Sequence, residues 1–186
     1  MTTSHNFRAL LAAIALLTFS ATTARAQDSS YAPTHESPEG QEIVFVYLGS
    51  YDCGPCHKQE FKRAIEKAKV LLNRKAKEAG KDFSAIGADM GWDVERGIAF
   101  LKKTGRFDEI MVGRSWTGSA ASQYIWQDDA SSPAKPSVVV YERNVESEDG
   151  RISISEPEYL VSKSGAGAVM KWVKAGVPLN AEASEK

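Results

Sequence analysis

The segment Glu42–Leu48 (EIVFVYL) is an almost unbroken apolar run rich in β-branched and aromatic residues. It passes through the short turn Gly49–Asp52 straight into Cys53-Gly54-Pro55-Cys56. Such a run suits a strand buried on both faces of a sheet, because successive side chains alternate between faces and here both sets are apolar. Beyond the cysteines the period changes. Phe61, Ile65, Ala68, Leu71 and Leu72 recur at spacings of three and four, which marks one buried helix face. Lys58, Lys62, Arg63, Glu66 and Lys69 fall on the other faces. The spacing predicts a helix from Pro55 to about Ala79, stopped by Gly80.

Downstream, Phe83–Ala88 (FSAIGA) reads as a second strand. Asp93 can cap a helix to about Thr104 that turns Val94, Ile98 and Leu101 inward and stops at Gly105. Residues 106–134 carry little periodicity beyond a short helix over Ser119–Gln127. Ser137–Glu142 (SVVVYE) and Arg151–Ser155 (RISIS) read as strands joined by the acidic turn Asn144–Gly150, hence an antiparallel hairpin. Ala166–Ala175 closes the pattern as a helix with Val169, Trp172 and Val173 inward. A strand–helix–strand opening requires a right-handed parallel crossover. The expected fold is therefore α/β, a mixed four-stranded sheet flanked by helices.

The chain begins with features of an export signal: Arg8, an apolar stretch Ala9–Phe19, and Ala24-Arg25-Ala26 as a small-residue cleavage site. The apolar stretch is too short to span about 30 Å of hydrocarbon. Residues 1–26 are thus expected to be a signal peptide, 27–41 a flexible leader, 42–178 the folded domain and 179–186 a polar tail. Export implies a periplasmic or secreted protein with no membrane span after cleavage, in a compartment where disulfides persist. The 23 Lys+Arg and 24 Asp+Glu nearly cancel, so nothing in the overall charge points to nucleic acid.

With only two cysteines, a disulfide-rich scaffold and a four-cysteine zinc site are excluded. At i and i+3 across a helix start, two cysteines can bring their Cα atoms to about 5–6 Å, the span of a disulfide. The outer one, Cys53, would face unsatisfied amides and the positive end of the helix dipole, both favouring thiolate. Cys56 would be shielded and placed to attack a mixed disulfide formed by Cys53. Asp52, beside the nucleophile, disfavours a second negative charge, while His57 and Lys58 act in the opposite sense. Two blander roles remain for the pair: a static disulfide, or a metal site with His35 and His57 as the other soft ligands.

Cys-Gly-Pro-Cys after a buried strand, in this element order, resembles the thioredoxin superfamily, and Lys135-Pro136-Ser137 leading into SVVVYE resembles its cis-proline loop. The resemblance covers roughly residues 42–176 and implies a thioredoxin-like fold with a helical insertion at about 106–134 before the cis-proline strand. It implies catalysis by a redox-active Cys53–Cys56 disulfide, with no metal or organic cofactor. Substrate would dock along Lys135 and Pro136. Independently of the resemblance, the charges of Asp52 and His57 make them candidates to tune the thiolate. Partners would be protein thiols and disulfides, with a membrane electron donor or acceptor. The chain departs from the family in having Asp52 where a tryptophan is usual. It also has Tyr47 where many members carry a buried acid six residues before the first cysteine. These departures keep open a binding or chaperone-like module with a passive disulfide, and a dedicated redox partner of one assembly factor.

Other features have simpler readings. Lys62, Lys69, Arg74 and Lys77 are expected to form a solvated helix face, with Glu60, Glu66 and Glu78 among them. Trp116, Tyr124 and Trp126 are expected to pack their segment on the core rather than line a substrate groove. Tyr51 reads equally as a substrate platform or an exposed loop aromatic.

Overall fold

The computed structural model describes residues 30–126 and 133–179. The expected signal peptide, the first residues of the leader, positions 127–132 and tail residues 180–186 lie outside the described part. No helix among the described residues is long and apolar enough to cross a membrane.

The apolar run forms β1 (Gly40–Gly49), followed by a 3-10 turn at Pro55–His57 and then α1 (Gln59–Glu78). The expected single helix is thus broken. Lys58 is extended (φ −65°, ψ 132°) and serves as the cap of α1, so α1 begins three residues beyond Cys56. Pro55 opens the 3-10 turn, where its missing N–H costs nothing. Gly80, at φ +69°, lets the chain leave α1 and enter β2 (Asp82–Asp89). Asp93 caps α2 (Val94–Thr104), its carboxylate accepting the Arg96 amide at 2.9 Å.

β3 (Glu109–Met111), α3 (Ser119–Tyr124), β4 (Ser137–Glu148), β5 (Arg151–Ile154), β6 (Glu158–Ser164) and α4 (Ala166–Lys174) complete the order. The result is a mixed α/β fold whose sheet has six strands rather than four, in the order β3-β2-β1-β4-β5 with β6 also on β4. β1, β2 and β3 are parallel, and β4 runs antiparallel to β1, β5 and β6. β5 and β6 share the edge of β4 opposite β1. The stretch read as an acidic turn is mostly strand: β4 runs on through Glu148 and turns only at Asp149-Gly150. Backbone pairing with β1 and β5 carries these polar residues, so no apolar pattern was needed to make them a strand.

Because β1, β2 and β3 step outward in one direction, right-handed crossovers place α1 and α2 on the same face. There Ile43, Phe45 and Tyr47 meet Phe61, Ile65, Ala68 and Leu72 of α1, Phe100 and Leu101 of α2, and Val169, Trp172 and Val173 of α4. The opposite face, with Val44, Val46 and Leu48, is covered by Ala120, Ala121, Tyr124 and Ile125. The poorly periodic segment after Arg106 therefore provides both the far edge strand β3 and the cover of the second face.

Three expectations change. α2 is rotated: Val94 is exposed, and Gly97, Phe100, Leu101 and Thr104 point inward. Lys69 is not solvated but fully buried. Its Nζ lies 2.7 Å from both Glu66 Oε2 and the Arg106 carbonyl, and 4.4 Å from the centre of the Phe107 ring. The leader is anchored rather than loose: the Glu39 amide donates to Asp82, and Gly40 and Gln41 already belong to β1. Tyr31 is buried edge-on against Phe83, its amide donates to Glu66, and its hydroxyl donates to Asp108.

Candidate redox site

β1 delivers the cysteines to the C-terminal end of the sheet. Cys53 and Cys56 form a disulfide with Cα atoms 5.3 Å apart. The turn between them is closed by backbone bonds from the Cys53 amide to Ser50 and from the Cys56 amide to Cys53, both 3.1 Å. His57 donates to Gly54 and Lys58 to Pro55, each at 3.2 Å. The amides of Cys56, His57 and Lys58 are therefore engaged within the turn, and α1 itself starts only at Gln59. The exposure of the pair is graded rather than divided. Cys53 is 5% exposed and Cys56 not at all, beneath an exposed Gly54-Pro55.

The Lys135–Pro136 peptide bond is cis, and the residue before it reaches the motif. Lys135 Nζ lies 2.6 Å from Asp52 Oδ1 and 5.9 Å from the centre of the Trp116 ring. The Lys135 hydrogen bond holds the Asp52 carboxyl below the ordinary aspartate range. Asp52 thus stands beside Cys53 as an ionised but partnered group. Pro136 leads into β4, whose first residue Ser137 pairs with Leu48 of β1. His57 is exposed. Its Nε2 donates to the Tyr51 carbonyl at 2.8 Å, and its ring lies edge-on to Phe100 at 5.5 Å. The site therefore brings together Cys53, Cys56, Asp52 and Lys135, with Pro136 and His57 at its margin.

Comparison with models of protein families, with curated proteins and with solved structures found no match.

Several neighbours of the site were not legible in advance. Tyr51 is half-buried, with the Arg96 guanidinium 4.0 Å above its ring. Trp92, just beyond β2, is among the most exposed large apolar side chains described. Tyr124 packs against Tyr141, as expected of a core residue, whereas Trp126 stays largely exposed with its indole N–H on the Trp116 carbonyl at 2.7 Å. Tyr47 occupies the position beneath the motif. Its hydroxyl is buried and has no hydrogen-bond partner among the described residues. The ring is enclosed by Phe61, Phe100 and Phe107, and burial pushes its phenol well above the ordinary range.

The carboxylate sequence reasoning missed is Asp89. It is buried at the end of β2, where Oδ1 accepts the Tyr51 amide at 2.8 Å and Oδ2 the Gly91 amide at 2.9 Å. Burial raises its pKa above the ordinary aspartate range, against the effect of the two amides. A signal was available: an acid directly at the carboxyl end of a buried parallel strand is where α/β sheets place their sites. Among the described residues, no group of three or more His, Cys, Asp or Glu side chains is arranged to hold a metal.

Proposed function

We propose that the chain is an exported thiol–disulfide oxidoreductase of thioredoxin-like type that exchanges disulfides with protein clients. The observation that carries this reading is the bridge itself. It joins i to i+3 at the end of the central buried strand, with both cysteines buried and Cys53 the more exposed of the two. A structural crosslink closing so short a loop removes little chain entropy, whereas a reactive pair needs this asymmetry. The pairing of Lys135, the residue before Pro136, with Asp52 supports the same reading.

In the reducing direction, the Cys53 thiolate attacks one sulfur of a client disulfide. A Cys53–client S–S bond forms, the client bond breaks, and the leaving thiolate takes a proton from solvent. Cys56, having given up its proton, then attacks Cys53 Sγ. The internal bridge re-forms and the second client sulfur leaves as a thiolate that is protonated. Two electrons pass from the dithiol to the client. Run backwards, the same steps oxidise a client dithiol. Continued turnover requires a thiol or membrane electron donor or acceptor to restore the starting state. The periplasmic or secreted location rests on the signal-like segment 1–26.

A second reading is favoured by the low exposure of Cys53: a binding or chaperone-like module in which the bridge is passive. Catalysis of insulin reduction by dithiothreitol separates the two. The exchange reading expects acceleration by the wild type and none by Cys53→Ser, and equal rates would overturn it. Cys56→Ala should accumulate mixed disulfides with clients through Cys53. A single trapped client would mark a dedicated partner of one assembly factor.

A further inference from the structure

Asp89 belongs to no step written above, yet four pieces of chain converge on its carboxylate. Gly49 of β1 is its strand partner, which puts its side chain on the face that also carries Tyr47 and α1. Tyr51, two residues before Cys53, donates its amide to Oδ1, and Gly91 in the loop after β2 donates to Oδ2. α2 crosses against the same group at Gly97, where a Cβ would stand 2.8 Å from Oδ2. A Cβ at Gly91 would stand 2.7 Å from it. Glycine at both positions is what lets the backbone close around the carboxylate.

Several charged groups lie around it. Asp52 and Lys135 pair with each other, and Arg96 of α2 lies over Tyr51. Tyr47 approaches from β1, and Arg114 lines the same small cavity from the turn beyond β3. Among the described residues, two backbone amides and no ion pair hold the Asp89 carboxylate. On protonation the oxygen that carries the proton becomes a donor with reduced acceptor capacity, so the bond to one of the two amides is weakened.

We infer that Asp89 is a positioning residue for the bridge. Its ionised carboxylate holds the Tyr51 amide, and with it the turn carrying Cys53, in the geometry of the closed disulfide, and protonation releases that hold. The inference rests on the exchange reading for its use in turnover, but the hold is a property of the folded chain. Because burial raises the Asp89 pKa, the change falls at a less acidic pH than for an ordinary aspartate.

The test is the equilibrium of the bridge with dithiothreitol between neutral and acidic pH, for wild type and Asp89→Asn. Amide resonances of Tyr51 and Gly91 are followed in the oxidised wild type over the same range. Free thiols stay protonated there, so an unlinked bridge gives a flat profile. A stabilised Cys53 thiolate would make opening easier as pH rises, whereas release of Asp89 makes it easier as pH falls. The slopes have opposite signs. The expected result is an increase of about fivefold or more in the opening constant on acidification, a modest coupling between sites. Both amides should move with the same inflection, and Asp89→Asn should lack the acid limb. His57, which bonds the Tyr51 carbonyl, is present in both proteins, so the difference between them belongs to Asp89.

A flat wild-type profile, amides that titrate without a matching change in the equilibrium, or an acid limb retained in Asp89→Asn would overturn the inference. Should the variant not fold, coincidence or disagreement of the two wild-type inflections decides. Coincident inflections without Cys53-dependent insulin reduction would leave the positioning role standing and remove the exchange reading. Insulin reduction without the inflection would do the reverse.

Discussion

Lys135 Nζ and Asp52 Oδ1 lie 2.6 Å apart, tying the residue before the cis peptide bond to the residue before Cys53. A carboxylate next to a nucleophilic thiol opposes its ionisation, and on the sequence alone Asp52 argued against reactivity. Its partner changes the balance, because a neutralised pair imposes little net field on the sulfur. The contact also joins two chain segments 83 residues apart beside the cysteine motif.

Lys135→Met should leave Asp52 as an uncompensated charge beside Cys53. A unit charge acting through water over several ångström costs about 0.7 kcal/mol, so alkylation of reduced Cys53 by iodoacetamide should slow about threefold at low salt. Added salt should shrink the difference. The pair's contribution to stability should stay below about 1 kcal/mol, since the Asp52 side chain is 55% exposed. That contribution is present above the ordinary aspartate pKa and is lost as pH falls through the lowered one. Unchanged alkylation would mean the pair does not act on the thiolate.

Tyr47→Phe should not destabilise the protein. The hydroxyl it removes is buried without a partner among the described residues, and desolvating such a group costs about 1–3 kcal/mol. A gain of about 1 kcal/mol in urea unfolding is expected. A loss of similar size would show that the hydroxyl is satisfied in solution.

Lys69→Met should destabilise by about 2 kcal/mol, because it strands the Arg106 carbonyl and unpairs Glu66. Burial holds the lysine below its ordinary range. The native state therefore releases this proton at lower pH than the unfolded chain does. Between the two pKa values the unfolded state binds more protons, and wild-type stability relative to Lys69→Met should rise with pH across that window. Denaturant titrations on the alkaline side would reveal the slope, and a parallel pair of curves would contradict it.

Tyr31→Ala tests whether the leader is part of the fold. Losing a buried ring stacked edge-on to Phe83 should cost about 3 kcal/mol, or about 6–12 °C in Tm. Tyr31 and Phe83 pack at the start of β2 and the cysteines follow the end of β1, its parallel neighbour, so the equilibrium of the bridge with dithiothreitol should not change. A Tm within about 2 °C of wild type would return the leader to the status of a loose tail.

Local chemistry was sufficient for much of this. EIVFVYL suited a strand covered on both sides, the three-and-four spacing from Phe61 to Leu72 made α1, Asp93 and Gly105 bounded α2, and the cysteine spacing permitted the bridge. These follow from side-chain periodicity, capping and reach, which act within a few residues. Tertiary structure alone decided the rest. β3 and β6 are strands because a partner edge was available to them, not because their own residues alternate. Lys69 is buried because the Arg106 carbonyl and the Phe107 ring come to meet it from 37 and 38 positions away in the chain. Asp89 lies under the motif because parallel pairing sets the end of β2 beside the end of β1. A charge's environment is the sum of groups brought together by folding, and no window of neighbouring residues contains them.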